Sequence, residues 1–78
     1  MTREQFISEF ASILEISPGQ LHEDTLMASI ATWDSVAYLS AMVFIDERLG
    51  MTIKPDVLSQ SESFGDILRA VQGTLEAR

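Results

Sequence analysis

Residues 32 to 50 read TWDSVAYLSAMVFIDERLG, and the reading of this stretch decides everything around it. From Asp34 to Leu49 neither proline nor glycine interrupts the chain. Apolar residues recur there at three- and four-residue intervals, which is the mark of a helix. Asp34 and Ser35 stand where a side-chain oxygen can accept a hydrogen bond from an unpaired N–H group of a helix start. Gly50 supplies the left-handed stop. At about 100° per residue, Tyr38, Met42, Ile45 and Leu49 share one face, and Val36, Leu39 and Val43 form a second stripe about 120° away. Ser40 and Glu47 run along one side of that second stripe, and Asp46 lies between the two. One face is enough to close a small core. The second stripe is therefore either extra core beneath a neighbouring loop or an exposed patch flanked by acids, as on a docking surface. The Asp-Ser pair is equally double: a helix cap, or a hydroxyl displayed for modification by another enzyme.

Upstream, Thr2 and Gln5 have the spacing of a capping box. Phe6, Phe10, Ile13 and Leu14 follow at helical intervals with Ile7 beside them, which predicts a helix over roughly 3–15, stopped by Ser17-Pro18-Gly19. The loop from Ile16 to Trp33 is longer than compact domains commonly carry. Leu21, Leu26 and Ile30 are spaced to pin it down, and Asp24 or Thr25 is placed to cap a single turn within it. Downstream, Lys54-Pro55-Asp56 starts a short turn near Asp56–Gln60. Ser63 and Asp66 then make an acidic variant of the capping box for a last helix over roughly 64–77, burying Phe64, Ile67, Leu68, Val71 and Leu75. Gly65 and Gly73 are expected to weaken that helix by up to about 1 kcal/mol each relative to alanine. No segment alternates with period two for long enough to make a strand. The expected fold class is all-α, a small bundle of three main helices and one short one with a long loop between helices one and two, forming one domain over residues 1–78.

The 78 residues are 46% hydrophobic, which fits a folded globule of modest core. The absence of cysteine removes disulfides, thiolate metal sites and a thiol nucleophile. Twelve acidic against five basic residues give a net charge of −7, a surface that repels phosphate backbones and is drawn to basic patches on other proteins. The same charge also serves plain solubility. No apolar run is long enough to span a membrane, and MTREQF lacks the apolar core of a signal peptide, so the cytoplasm is the expected location and nucleic acid is not an expected partner. His22 is the one histidine; with no companion ligand at metal spacing it reads as a solvated loop residue. Ser35, His22 and Asp34 hold the ingredients of a nucleophilic triad, but no oxyanion loop accompanies them. Neither catalytic nor metal-binding residues are expected. Met27, Met42 and Met51, with the phenylalanines, read as core, or alternatively as an adaptable interior that admits an acyl chain.

The stretch WDSVAYLSAMVFIDERLGMTI, with LHEDTL before it and SESFGDIL after it, resembles acyl and peptidyl carrier proteins over essentially the whole chain. The resemblance implies a 4′-phosphopantetheine arm joined to Ser35 through a phosphodiester, installed from coenzyme A by a phosphopantetheinyl transferase. The arm's thiol would carry an acyl or aminoacyl group as a thioester. A helix start suits the anionic phosphodiester, and a chain without cysteine needs an imported thiol. By the same resemblance Asp34 belongs to the motif that the transferase recognises. Val36, Leu39 and Val43, with Asp46, Glu47 and Ile53, would be read by partner enzymes, namely acyl- or aminoacyl-loading and condensing enzymes with basic docking patches. Three positions depart from the pattern. Val36 replaces the usual leucine, Ser40 replaces an acid on the recognition helix, and Trp33 replaces a small residue. The function expected is a discrete, monomeric, non-catalytic carrier in fatty-acid, polyketide or peptide-type biosynthesis. The alternative is a carrier-like acidic interaction module that never receives the arm.

Overall fold

The computed structural model describes residues 1–75. Helix α1, Arg3–Leu14, starts where Thr2 and Gln5 close their box: the Gln5 N–H donates to the Thr2 hydroxyl at 3.2 Å, and the Thr2 N–H to the Gln5 side chain at 2.9 Å. Its end differs from expectation. Glu15 adopts the left-handed conformation at φ 59°, and its N–H and that of Ile16 turn back to the carbonyls of Ser12 and Ala11. The helix is thus closed before Ser17-Pro18-Gly19 is reached, and Pro18 instead opens a 3₁₀ turn, Pro18–Gln20. Helix α2 runs Ser35–Leu49 and stops at Gly50, φ 68°. Helix α3 is the short one, Pro55–Gln60, and α4 spans Phe64–Val71. Among the described residues there is no strand, only an isolated bridge between Leu26 and Ser63.

The last helix is shorter than the spacing predicts. After Val71 the chain tightens into a 3₁₀ turn, Gln72–Thr74, where the apolar face gives way to Gln72, Gly73 and Thr74 and glycine lowers helical propensity. Leu75 is half-buried, and the remainder of the expected helix lies outside the described residues.

The interior is organised by rings. Phe6 lies 5.7 Å from Phe10, 5.5 Å from Phe44 and 6.2 Å from Phe64, all centroid to centroid, so α1, α2 and α4 meet on one residue. All four phenylalanines are buried, each contributing roughly 1.5–3 kcal/mol relative to exposure. Met27 joins them, whereas Met42 and Met51 lie at the margin.

The long loop is held by backbone rather than by the side chains expected to pin it. Leu21 is buried and Ile30 half-buried, but Leu26 is 57% exposed, and Met27 takes the anchoring place. The turn at Met27–Ser29 follows Leu26 with no side-chain cap; Asp24 and Thr25 do not supply one. Thr25 instead accepts from the His22 N–H at 2.8 Å. Three hydrogen bonds join the loop to the start of α4: Met27 N–H to Glu62, Phe64 N–H to Thr25 and Gly65 N–H to Glu23, at 2.8–2.9 Å. This pairing sets the role of Gly65. A β-carbon there would sit 2.6 Å from the Glu23 carbonyl oxygen. Helix propensity alone makes Gly65→Ala stabilising; the contact reverses the sign. We expect Gly65→Ala to lower stability by about 1–3 kcal/mol, the usual cost of overpacking, and to speed hydrogen exchange at Met27. A raised urea midpoint would show that the loop gives way freely. Nothing comparable surrounds Gly73.

The α4 end of this latch is tied by Asp66. Its carboxylate accepts from the backbone N–H of Glu62 and Ser63, at 3.0 and 3.2 Å, and pairs with Arg69. The Ser63 and Glu62 hydrogen bonds, with Arg69 assisting against a desolvation that opposes them, hold its pKa below the ordinary 3.8. A lowered folded-state pKa contributes stability that is present above the unfolded value and lost as pH falls through the folded one. Asp66→Asn should therefore lose more stability at neutral pH than in acid, read as the gap between urea midpoints. A gap that stays constant from neutral pH down to below the ordinary carboxylate range would remove Asp66 from the latch.

Candidate functional site

Ser35 is the first residue of α2, exposed, and its hydroxyl makes no hydrogen bond among the described residues. The capping duty falls on its neighbour. The Asp34 carboxylate accepts from the Ala37 N–H at 3.0 Å, while the Asp34 carbonyl takes the Tyr38 N–H at 2.9 Å. With the cap supplied by Asp34, the N–H groups of Ser35 and Val36 remain without partners among the described residues. An anionic group on the Ser35 oxygen would meet those donors and the positive end of the α2 dipole. The local sequence thus separates two roles that were merged in the reading of the Asp-Ser pair.

The two stripes of α2 are also separated. Val36, Leu39 and Val43 are 72%, 60% and 54% exposed, so this stripe faces solvent and is not core under the loop. The buried face is turned from the one expected: Ala37, Ala41, Phe44 and Ile45 form it, and Tyr38, Met42 and Leu49 lie half-buried at its edge. The small side chains of Ala37 and Ala41 let the neighbouring elements close on α2, and Phe44 then reaches the Phe6 ring. Counting only large apolar residues hides this, because the alanines carry the register.

Ser40, Asp46 and Glu47 are exposed beside the stripe. Ile53, expected with them, is instead 5% exposed and packs in the core, because the segment after Gly50 turns inward to reach α3. Arg3 pairs with Glu23 at 3.1 Å and Arg48 with Glu9, whereas Asp46 and Glu47 have no ion-pair partner among the described residues. The acid flank of the stripe is thus uncompensated, which favours a partner surface carrying lysine or arginine.

A groove of about 620 Å³ adjoins Ser35, lined by Trp33, Asp34, Tyr38, Leu39 and Ser59. The Tyr38 hydroxyl donates to the Pro55 carbonyl and ties α2 to α3 across its end. Ser59 was invisible to sequence reasoning, since a six-residue helix carries too little pattern to orient its polar positions. On the other side of α2, Leu39, Val43 and Phe44 face Ile13 of α1 across a second groove. His22 lies apart from Ser35, in a depression with Arg3, Ile7 and Leu68, so the triad ingredients are not assembled. Among the described residues no cluster of histidine and acidic side chains is placed to hold a metal ion, and no helix is long and apolar enough to cross a membrane.

Neither a protein-family model nor a solved structure matches the chain. Among curated proteins, the acyl carrier protein MbtL of Mycolicibacterium paratuberculosis is 33% identical over 58 residues. That match takes in 74% of this chain and 65% of the relative, just under two thirds of its length. A match of that share cannot miss position 35, wherever its ends lie. The chain is therefore similar to an acyl carrier protein through the region that holds the exposed serine.

Proposed function

We propose that the chain is a member of the acyl and peptidyl carrier family: a non-catalytic protein that holds an acyl or aminoacyl group on a 4′-phosphopantetheine arm attached to Ser35 and presents it to biosynthetic enzymes. One observation carries the reading. Ser35 offers an exposed, unpartnered hydroxyl at the start of a long helix whose cap is already provided by Asp34. The residues present fit such a group, with free N–H donors beside the hydroxyl and an open groove next to it. In attachment, the Ser35 oxygen forms a new bond to phosphorus as the pyrophosphate link of coenzyme A breaks. Adenosine 3′,5′-bisphosphate leaves, and the hydroxyl proton passes to a base on the transferase. The arm contributes the thiol that this chain lacks.

Val36, Leu39 and Val43, with Ser40, Asp46 and Glu47, form the surface that partner enzymes read, the apolar stripe giving contact and the acids giving encounter rate and orientation. The transferase is the first of these partners, and loading and condensing enzymes with basic patches are the others. The test is intact mass after incubation with a broad-specificity phosphopantetheinyl transferase and coenzyme A. We expect a gain of one phosphopantetheinyl group. An unchanged mass on folded protein would overturn the reading in favour of an acidic interaction module that uses the stripe without an arm.

A further inference from the structure

We infer that the group attached at Ser35 rests outside the bundle, in the groove between α2 and α3 walled by Trp33, Tyr38, Leu39 and Ser59; the inference rests on the carrier reading above. Ser35 is itself part of the groove wall, so a group joined to its oxygen starts inside the groove. A short tether gives an effective concentration of order millimolar, enough for contacts too weak to capture the same group from solution. The walls have the chemistry for it. Trp33 is half-buried, with its ring 5.9 Å from both Phe10 and Tyr38, and the remainder of the indole faces the groove. Tyr38 is fixed by its bond to Pro55, which holds α3 in place as the far wall. The Ser59 hydroxyl spends its proton on the Asp56 carbonyl at 3.2 Å, leaving its oxygen free to accept an amide N–H. Aromatic faces, one leucine and a hydroxyl acceptor suit an uncharged chain in which methyl groups alternate with amides, followed by an apolar acyl group.

The interior offers no comparable place. Phe6 contacts Phe10, Phe44 and Phe64, and Phe10 lies 5.2 Å from Phe64, so a chain entering between α1, α2 and α4 has to part rings already in contact. Of the two readings open for the phenylalanines and methionines, this packing supports plain core. Trp33, where related carriers have a small residue, provides the outside alternative.

The test uses the chain's one tryptophan as its own reporter. Protein in the apo form, the form made from coenzyme A and the form made from octanoyl-coenzyme A is compared by mass, tryptophan emission and side-chain NMR. The expected result is a shift of Trp33 emission to shorter wavelength and a fall of acrylamide quenching to roughly half in the octanoyl form, as an apolar group replaces water on the indole. Signals of Trp33, Tyr38 and Leu39 move while those of Phe6, Phe44 and Phe64 stay in place. A mass gain with no change at Trp33 overturns the inference and leaves the group in solvent. A mass gain with shifts at Phe6, Phe44 and Phe64 overturns it in favour of the interior. Absence of any mass gain fells the carrier reading itself, and the groove with it.

Discussion

Ser35→Ala will fold as the parent does and gain no mass from coenzyme A. Both halves follow from the geometry at the start of α2. The Ser35 side chain is exposed and makes no hydrogen bond, so its loss falls among surface changes that stay within about 0.5 kcal/mol. Asp34 behaves differently, because its carboxylate satisfies the Ala37 N–H. Asp34→Ala should cost about 1 kcal/mol, the ordinary worth of a cap, while leaving the hydroxyl available. The pair separates capping from attachment, which the adjacent residues otherwise confound. Thermal or urea unfolding reads the first role and intact mass the second. If Ser35→Ala still gains one phosphopantetheinyl group, the arm sits on another exposed serine, such as Ser40 or Ser59, and the assignment of α2 as the attachment helix fails. If Ser35→Ala loses a full cap's worth of stability, its hydroxyl shares the cap with Asp34.

What was legible beforehand follows a physical division. The start of α1 and both ends of α2 were readable because capping residues and a left-handed glycine act locally, through hydrogen bonds between near neighbours in sequence. The exposed hydroxyl of Ser35 was readable for the same reason. Features decided by distant partners were not. Nothing near Gly65 reveals that the Glu23 carbonyl approaches it, so a residue that looks like a weak point of α4 is required by the loop packed on it. Leu26 resembles an anchor and is exposed, since Met27 occupies the inward position once the backbone pairs with Glu62 and Phe64. Ile53 reads like a surface aliphatic only if the chain after Gly50 is assumed to continue along α2. The stop at Glu15 was hidden because a left-handed glutamate is rare without glycine or asparagine. The groove beside Ser35 depends on α3 lying against Tyr38, a tertiary fact with no local trace.

Phe44→Asp and Val43→Asp, one residue apart on α2, should have opposite effects, and their comparison tests the orientation of the whole helix. Phe44 is buried and stacked on Phe6 at 5.5 Å. Removing its ring alone costs about 3–5 kcal/mol, and a carboxylate left among Phe6, Ala41 and Ile45 adds the penalty of a buried group with no hydrogen-bond partner. That loss exhausts the stability of a marginal domain, so Phe44→Asp should be largely unfolded at room temperature. Val43 points the other way and is 54% exposed. Valine and aspartate have similar helix propensities, and the new charge meets Glu47 four residues on, a like-charge contact worth a few tenths of a kcal/mol. Val43→Asp should therefore keep its urea midpoint nearly unchanged. It should still slow phosphopantetheinylation, because the transferase loses an apolar contact and must desolvate a carboxylate at the centre of the stripe. Met42, half-buried at the edge of the core face, falls between the two in stability when changed to aspartate. Equal unfolding of Val43→Asp and Phe44→Asp would place both stripes in the core and move the docking face elsewhere. A Val43→Asp protein modified at the parent rate would leave Val36, Leu39 and the acids to carry recognition without it.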